Sequence, residues 1–346
     1  MRQEVNCKKR QQPVFLFYIV ACTMWVIMGF STGHADYINY ESYFDRISSG
    51  IDVLAVEPGF TLLMKIASTY GLSYIAFQAL FTLVGFILIG STLYRYSFRK
   101  VAVLFAYFCY PFFLDITQMR QFMVAAIVVF SIRYLEKFSI KNLILFIAVL
   151  MISSSIHISS FIYLALLLSY IKDEKKLLRY VLIAAFGFIL IGGVVLNSDL
   201  YQAIINLRES DIDYEKGMSG IQLVLYLVFY SLLVFFCVYL HNKKTSRTNC
   251  IENDFLYRVC LCTIMFIPFI LLDFQFTRLF RTTIIILYIY ILNGTLNVGY
   301  ANKRLYSFVF FTLVLAVGFR LFGPGSGYYQ TLTMPILNSN VLFNNF

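Results

Sequence analysis

The chain has 346 residues, of which 60% are hydrophobic and 13% charged, and its mean hydropathy is +0.76. This composition excludes a soluble globular domain, whose apolar share is about 45 to 50%. The formal net charge of +10 could indicate nucleic-acid binding, but the Lys and Arg residues fall in short clusters between apolar runs and form no continuous basic face, so no nucleic-acid partner is predicted.

A spanning helix needs roughly 20 apolar residues, and about eleven apolar runs follow one another along the chain. They cover residues 14–30, 72–94, 101–114, 121–134, 143–152, 159–171, 180–196, 221–240, 255–272, 282–296 and 305–322. The runs predict an all-α polytopic membrane protein that forms a single integral membrane domain over residues 1–346. The seven cysteines lie inside these runs or in predicted cytoplasmic segments, which predicts neither disulfides nor a bound metal.

Basic clusters between the runs predict the orientation of the chain. The first run follows Lys8, Lys9 and Arg10 and is long enough to remain as the first span, although Gly33-His-Ala35 weakly resembles a cleavage site. If each cluster marks a cytoplasmic turn, 20 of the 28 Lys and Arg residues lie on or near the cytoplasmic side. The N-terminus is therefore predicted to be cytoplasmic, and the loops 31–57 and 197–220 to face outward.

The motif Glu57-Pro-Gly-Phe60 predicts the start of a short helix, because Pro58 fits the first helical position. About thirteen residues separate this start from Gly71, which is too short for a span. The segment is therefore predicted to be a re-entrant or interfacial half-helix with Glu57 at its positive end. Glu57 can be a helix cap or a catalytic group.

Asp36, Tyr40 and Tyr43 follow one another at spacings of four and three, which places them on one side of a helix near the membrane interface. Aromatic rings and a carboxylate suit the binding of sugars. The alternative is an interfacial aromatic belt.

Asp115 and Arg120 lie at the junction of two apolar runs. A charged side chain at membrane depth costs about 2.5 to 3.5 kcal/mol, so one that remains is usually paired, solvated in a cavity or bound to a ligand.

His157 follows the polar run Ser153-Ser-Ser at the predicted outer tip of a helical hairpin. Histidine is the side chain whose ordinary pKa best suits proton transfer near neutral pH. His157 is therefore a candidate base, with a structural role as the alternative.

Arg278 and Arg281 lie three residues apart after Asp273, and hence on one side of a helix. Guanidinium groups bind phosphate oxygens in bidentate fashion. The alternative is structural pairing of these arginines with Asp273 and Asp115.

The order of these motifs resembles the EpsG-like branch of the Wzy polysaccharide polymerases, over roughly residues 30–180. The matching residues are Asp36 with Tyr40 and Tyr43, then Glu57-Pro-Gly-Phe60, then Arg120-Gln121, then His157. The resemblance implies a fold similar to the C-type glycosyltransferases. It also implies a polymerase that joins undecaprenyl-pyrophosphate-linked repeat units at the outer face of the bacterial plasma membrane, in O-antigen or exopolysaccharide biosynthesis.

The resemblance implies roles for the residues singled out above, without a cofactor or a metal. The expected catalytic residues are His157, Glu57 and Asp36; the expected pyrophosphate-binding residues are Arg120, Arg278 and Arg281; and the expected sugar-binding residues are Tyr40, Tyr43 and Gln121. The expected partners are the lipid-linked oligosaccharides, membrane lipids and a chain-length regulator protein.

Two alternatives from other classes remain open at this point. A flippase or transporter of lipid-linked oligosaccharides also has broken helices and charges at membrane depth. A membrane-bound acyltransferase that acts on surface glycans would also use a histidine.

Overall fold

A computed structural model describes residues 14–34, 36–51, 53, 56–196, 220–243, 251–296, 298 and 300–343. Its α-helices are α1 (Val14–Gly29), α2 (Tyr37–Ser48), α3 (Pro58–Thr69), α4 (Tyr74–Tyr96), α5 (Lys100–Cys109), α6 (Phe112–Thr117), α7 (Met119–Ser131), α8 (Ile140–Ile156), α9 (Glu174–Leu196), α10 (Gly220–Asn242), α11 (Ile251–Cys262), α12 (Thr277–Arg281), α13 (Ile284–Gly294), α14 (Tyr300–Phe322) and α15 (Met334–Asn338). Further 3₁₀ helices cover Ile132–Tyr134, Ile158–Tyr170, Thr263–Phe266, Pro268–Leu271 and Phe274–Phe276, and one π-helical turn covers Tyr329–Thr333. Within the described residues, the only β pairing is an isolated bridge between Ser31 and Asn340.

The prediction of an all-helical membrane protein is confirmed, since each of the eleven predicted runs coincides with helical structure. Five described segments are long and apolar enough to cross a membrane: Tyr74–Tyr96, Glu174–Val194, Gly220–Asn242, Asp254–Leu271 and Asn302–Phe322. The other runs form shorter or interrupted helices, so the number of about eleven spans stays a prediction. Most of the predicted outer loop 197–220 and the basic cluster at residues 8–10 lie outside the described residues.

The larger hydrophobic core surrounds α13, which is apolar on all sides. All residues from Ile284 to Asn293 are buried, as expected for a helix without a polar face. Helix α7 is similarly buried and packs against α4 and α8. The start of α7 is therefore held by a packed core, and Arg120 lies in its first turn.

A smaller core joins α2, α3 and the beginning of α4. Its aromatic side chains include Phe44 from α2, Phe60 from α3 and Phe77 from α4, and Phe60 is completely buried. The short helix predicted after Glu57 is present as α3, and it ends before Gly71, whose φ of +72° favours glycine. Its position at the membrane interface stays a prediction.

Helices α3 and α8 approach each other closely at Gly59. A Cβ atom at this position would lie 2.2 Å from the hydroxyl oxygen of Ser155 on α8, so only glycine fits. This contact brings the beginning of α3 beside the end of α8, where Glu57 and His157 lie.

Cysteine labelling tests the predicted orientation. In a cysteine-free background, we expect a membrane-impermeant maleimide to label Ser49→Cys but not Lys176→Cys in intact cells with a permeabilised outer membrane. Both positions are exposed, so access across the membrane decides the result. Labelling of Lys176→Cys without labelling of Ser49→Cys would contradict the orientation.

Candidate active site

The Glu57 carboxylate is the centre of a polar cluster formed by three separate segments. Its Oε1 atom accepts hydrogen bonds from His157 Nδ1 at 2.7 Å and from the Ile158 amide nitrogen at 3.2 Å. Its Oε2 atom accepts a hydrogen bond from Nη1 of Arg120. One carboxylate thus joins the beginning of α3, the end of α8 and the first turn of α7.

Local backbone structure explains why these groups converge. Glu57 occupies the N-cap of α3, where the helix dipole favours a negative charge and Pro58 takes the first helical position. His157 caps the C-terminal end of α8 with an extended backbone (φ −156°, ψ 123°), which turns the chain into the 3₁₀ helix Ile158–Tyr170. Both side chains therefore project from helix ends.

The electrostatics of the cluster fix the protonation states of Glu57 and His157. Burial by itself raises the pKa of Glu57, but the hydrogen bond from His157 and the positive charge of Arg120 outweigh burial and lower this pKa to about 2. Burial lowers the pKa of His157 below its ordinary value, and the contact with Glu57 opposes this shift only in part. At neutral pH, the carboxylate is therefore ionised and the imidazole is neutral.

The hydrogen bond to Glu57 also selects the tautomer of His157. An ionised carboxylate can only accept, so the proton of the neutral ring must lie on Nδ1. The Nε2 atom then carries a lone pair, and no hydrogen-bond partner of this atom is present among the residues that the structure describes. A carboxylate therefore sets the orientation of the ring, and in this orientation Nε2 is able to accept a proton.

Arg120 is held by an aromatic pair as well as by Glu57. Its Nε atom donates to the Tyr40 hydroxyl at 3.2 Å, and its Cζ atom lies 5.6 Å and 5.8 Å from the ring centroids of Tyr40 and Phe60. Tyr40 is buried, whereas Tyr43, whose ring meets it edge-on at 6.4 Å, is half-buried. Of the predicted aromatic face, Tyr43 is therefore the more accessible side chain.

Asp36 and Arg278 share the electrostatic environment of this cluster. Burial raises the pKa of Asp36 to about 6, although the charges of Arg120 and Arg278 oppose this shift. The same two charges contribute to lowering the pKa of His157. Arg278 also donates from Nε to the Gln275 carbonyl at 2.8 Å, which fixes the guanidinium against its own helix turn.

Arg281 lies in a separate, fully buried ion pair. Its Nε atom is 2.9 Å from Oδ1 of Asp115, and the two side chains are 3% and 4% exposed. Tyr107 donates to the other carboxylate oxygen at 2.7 Å, and Arg281 Nη2 donates to Gln118. The structure thus places Arg281 in the structural pairing with Asp115 that the sequence left as the alternative. Arg281 is buried, whereas Arg278 is half-buried.

Gln121, the third predicted sugar-binding residue, is also buried. Its Nε2 atom donates to the Thr282 hydroxyl at 2.6 Å, and its Oε1 atom accepts from the Ser159 hydroxyl at 3.2 Å. Sequence reasoning missed Gln118, Ser159 and Thr282, whose only signal is their nearness in sequence to Arg120, His157 and Arg281. Among the described residues, no group of three or more His, Cys, Asp or Glu side chains could hold a metal ion.

Comparisons with known proteins give one family match. The model of the EpsG family matches residues 14–332, which include every residue of the cluster around Glu57. No curated protein and no solved structure matches the chain. The match extends from the beginning of α1 into the π-helical turn Tyr329–Thr333.

Proposed function

Because the chain belongs to the EpsG family, we propose that it is a polymerase that joins undecaprenyl-pyrophosphate-linked repeat units at the outer face of the bacterial plasma membrane. The family and the apolar helices indicate a polysaccharide polymerase-type membrane protein. The finer proposal is carried by one observation, the neutral His157 ring whose Nδ1 is bound by Glu57 while Nε2 keeps its lone pair. A positioned base of this kind accelerates glycosyl transfer to a hydroxyl.

In the proposed reaction, Nε2 of His157 removes the proton from a hydroxyl of the incoming lipid-linked repeat unit. The hydroxyl oxygen attacks the anomeric carbon of the growing chain, the bond from that carbon to the pyrophosphate oxygen breaks, and undecaprenyl pyrophosphate leaves. Glu57 keeps the ring in orientation through Nδ1 and stabilises the imidazolium that forms. The Glu57 charge is itself stabilised by Arg120.

The leaving pyrophosphate requires positive charge where negative charge develops. Arg120 and Arg278 both act on His157 and Asp36 electrostatically, which supports a position of both cations close to the reacting groups. Arg120 is already engaged by Glu57 and Tyr40. Arg278 is half-buried and its charge acts on both Asp36 and His157, so we assign the pyrophosphate chiefly to Arg278. Arg120 then anchors Glu57, and Arg281 stabilises the protein core through its ion pair with Asp115.

Asp36 and Tyr43 complete the proposed site on the sugar side. A carboxyl group with a pKa of about 6 exchanges a proton near neutral pH, so Asp36 can bind sugar hydroxyls as an acceptor or as a donor. The half-buried Tyr43 ring supplies an apolar surface for a sugar ring. A chain-length regulator and the surrounding lipids remain the proposed partners.

Glycan analysis of a deletion strain tests the proposal against the two alternatives. A polymerase predicts that the strain carries single repeat units on its surface lipid, and that the wild-type gene restores a ladder of chain lengths. Loss of all surface glycan would indicate a flippase instead. Loss of an acyl group at unchanged chain length would indicate an acyltransferase.

The pH dependence of the rate follows from the protonation states. The pKa of His157 lies below its ordinary value, so we expect the saturated rate to be constant between about pH 7 and 8 and to fall in acid as Nε2 is protonated. Glu57 remains ionised throughout this range because its pKa is about 2. The rate is measured with purified protein in liposomes.

Asp36 also titrates near pH 6, so Asp36→Asn separates the two groups. If the rate of Asp36→Asn still falls in acid, the fall is caused by protonation of His157. If the rate of Asp36→Asn no longer falls in acid, Asp36 is the base. A wild-type rate that rises on acidification would contradict a neutral histidine base.

A further inference from the structure

A single buried amide joins the three segments that carry the proposed site. Gln121 is 2% exposed and lies next to Arg120 in α7. Its side chain reaches Thr282, just after α12, on one side and Ser159 on the other. These two residues belong to the segments that carry Arg278 and His157.

The neighbouring contacts determine the direction of both hydrogen bonds of the Gln121 side chain, the one with Thr282 and the one with Ser159. The Thr282 hydroxyl donates to the main-chain oxygen of Arg278 at 2.9 Å, so towards Gln121 it can only accept, and the Gln121 amide nitrogen must face it. The amide oxygen then faces Ser159, whose hydroxyl donates to it. Ser159 lies two residues after His157, and Ser160 donates from its main-chain nitrogen to the His157 carbonyl at 3.1 Å.

We infer that Gln121 is a positioning residue that sets the spacing between His157 and Arg278, an inference that rests on the proposed function. Both ends of its amide are occupied by protein groups, and its burial separates it from a sugar in the site. The base on one side of the transferred sugar and the cation on its pyrophosphate side belong to segments far apart in sequence. Their separation must be kept by contacts between those segments, and Gln121 contacts both.

The test uses Gln121→Leu and Ser159→Ala in liposomes supplied with the lipid-linked oligosaccharide extracted from a deletion strain. A displacement of about 1 Å at a reacting group can lower a rate about 100-fold, so we expect kcat to fall about 10- to 100-fold in Gln121→Leu and about 3- to 10-fold in Ser159→Ala. KM for the extracted lipid is expected to stay within about twofold of wild type, because the substrate contacts remain. The double variant is expected to be no slower than Gln121→Leu, since both changes remove the same bond.

Ser169→Ala is the matched control. Ser169 is buried on the same 3₁₀ helix, but its hydroxyl has no hydrogen-bond partner within the described part of the chain, so its removal is expected to leave kcat unchanged. Ser159→Ala removes one hydroxyl from a half-buried position, and it keeps the test decisive if Gln121→Leu accumulates poorly.

A raised KM at unchanged kcat in Gln121→Leu would make Gln121 a sugar-binding residue and overturn the inference. Wild-type kcat in both Gln121→Leu and Ser159→Ala, with His157→Ala inactive, would overturn the inference alone. Failure of the wild-type protein to polymerise would instead remove the proposed function. Full activity of His157→Ala would remove His157 as the base, and the inference would fall with it.

Discussion

His157→Ala is expected to lower the rate of polymerisation about 10²- to 10⁴-fold, the usual contribution of a positioned general base. The variant removes the Nε2 lone pair that we propose as the base, while Glu57 keeps its hydrogen bonds from Arg120 and from the Ile158 amide. We therefore expect the protein to accumulate in the membrane near the wild-type level. The measurement is the chain-length ladder of surface glycan in a complemented deletion strain, together with immunodetection of the protein.

His241→Ala provides a matched control for this prediction. His241 Nε2 lies 3.2 Å from Oε1 of Glu174 in a contact that joins α10 to α9, so both histidines tie a glutamate to another segment. If the role of His157 were only to join segments, the two variants would reduce abundance and chain length alike. A normal ladder in His157→Ala would transfer the role of base to Asp36.

Glu57→Gln is expected to lower the rate by a similar factor, about 10²- to 10⁴-fold, although the side chain keeps its size. If the amide oxygen faces Arg120, the amide nitrogen donates to Nδ1 of His157, so the ring proton moves to Nε2 and the base is lost. If the amide oxygen faces His157, the amide nitrogen meets the guanidinium, and two donors oppose each other. Neither orientation of the amide preserves both the hydrogen bond from His157 Nδ1 and the hydrogen bond from Arg120.

Glu41→Gln is the control for the second prediction, since Glu41 lies on α2 and binds only the Tyr37 hydroxyl among the contacts that the structure describes. It should retain the wild-type ladder and abundance. Chain lengths in Glu57→Gln that match those of Glu41→Gln would show that the Glu57 charge does not set the tautomer of His157. The chain-length ladder and the membrane abundance of both variants are measured together.

Local sequence patterns predicted the elements that carry the site. Proline after Glu57 and glycine at position 71 predicted α3, because each residue suits one end of a helix and both effects act within a turn. The polar run Ser153-Ser-Ser predicted a break after residue 152, but α8 continues through these serines to Ile156 and ends at His157. The eleven apolar runs predicted where helices form, since burial of apolar side chains follows composition.

The partners of the charged residues could not be predicted in the same way. The insertion energy of an arginine indicates that it needs a partner, but it does not distinguish a carboxylate of the protein from a phosphate of a ligand. Arg120 and Arg281 looked equivalent in sequence, yet Arg120 contacts Glu57 and Arg281 contacts Asp115 inside the core. These pairings depend on how distant helices pack, as does the contact of Gln121 with Ser159.

The sequence patterns also did not predict the helix break at Tyr110 and Pro111. Residues 101–114 were predicted as one span, but the chain breaks at Tyr110 and Pro111 into α5 and the short α6. Proline fixes its own φ and lacks an amide hydrogen, so it interrupts an apolar run that composition alone treats as continuous. The break places Asp115 on α6, where it meets Arg281.

Polymerisation is measured most directly with the purified chain in liposomes that contain only lipid-linked repeat units from a deletion strain. We expect the wild-type protein to convert single units into a ladder and to release undecaprenyl pyrophosphate, whereas His157→Ala leaves single units. Single units left unchanged by a folded wild-type protein under these conditions would contradict the claim that this chain is the polymerase.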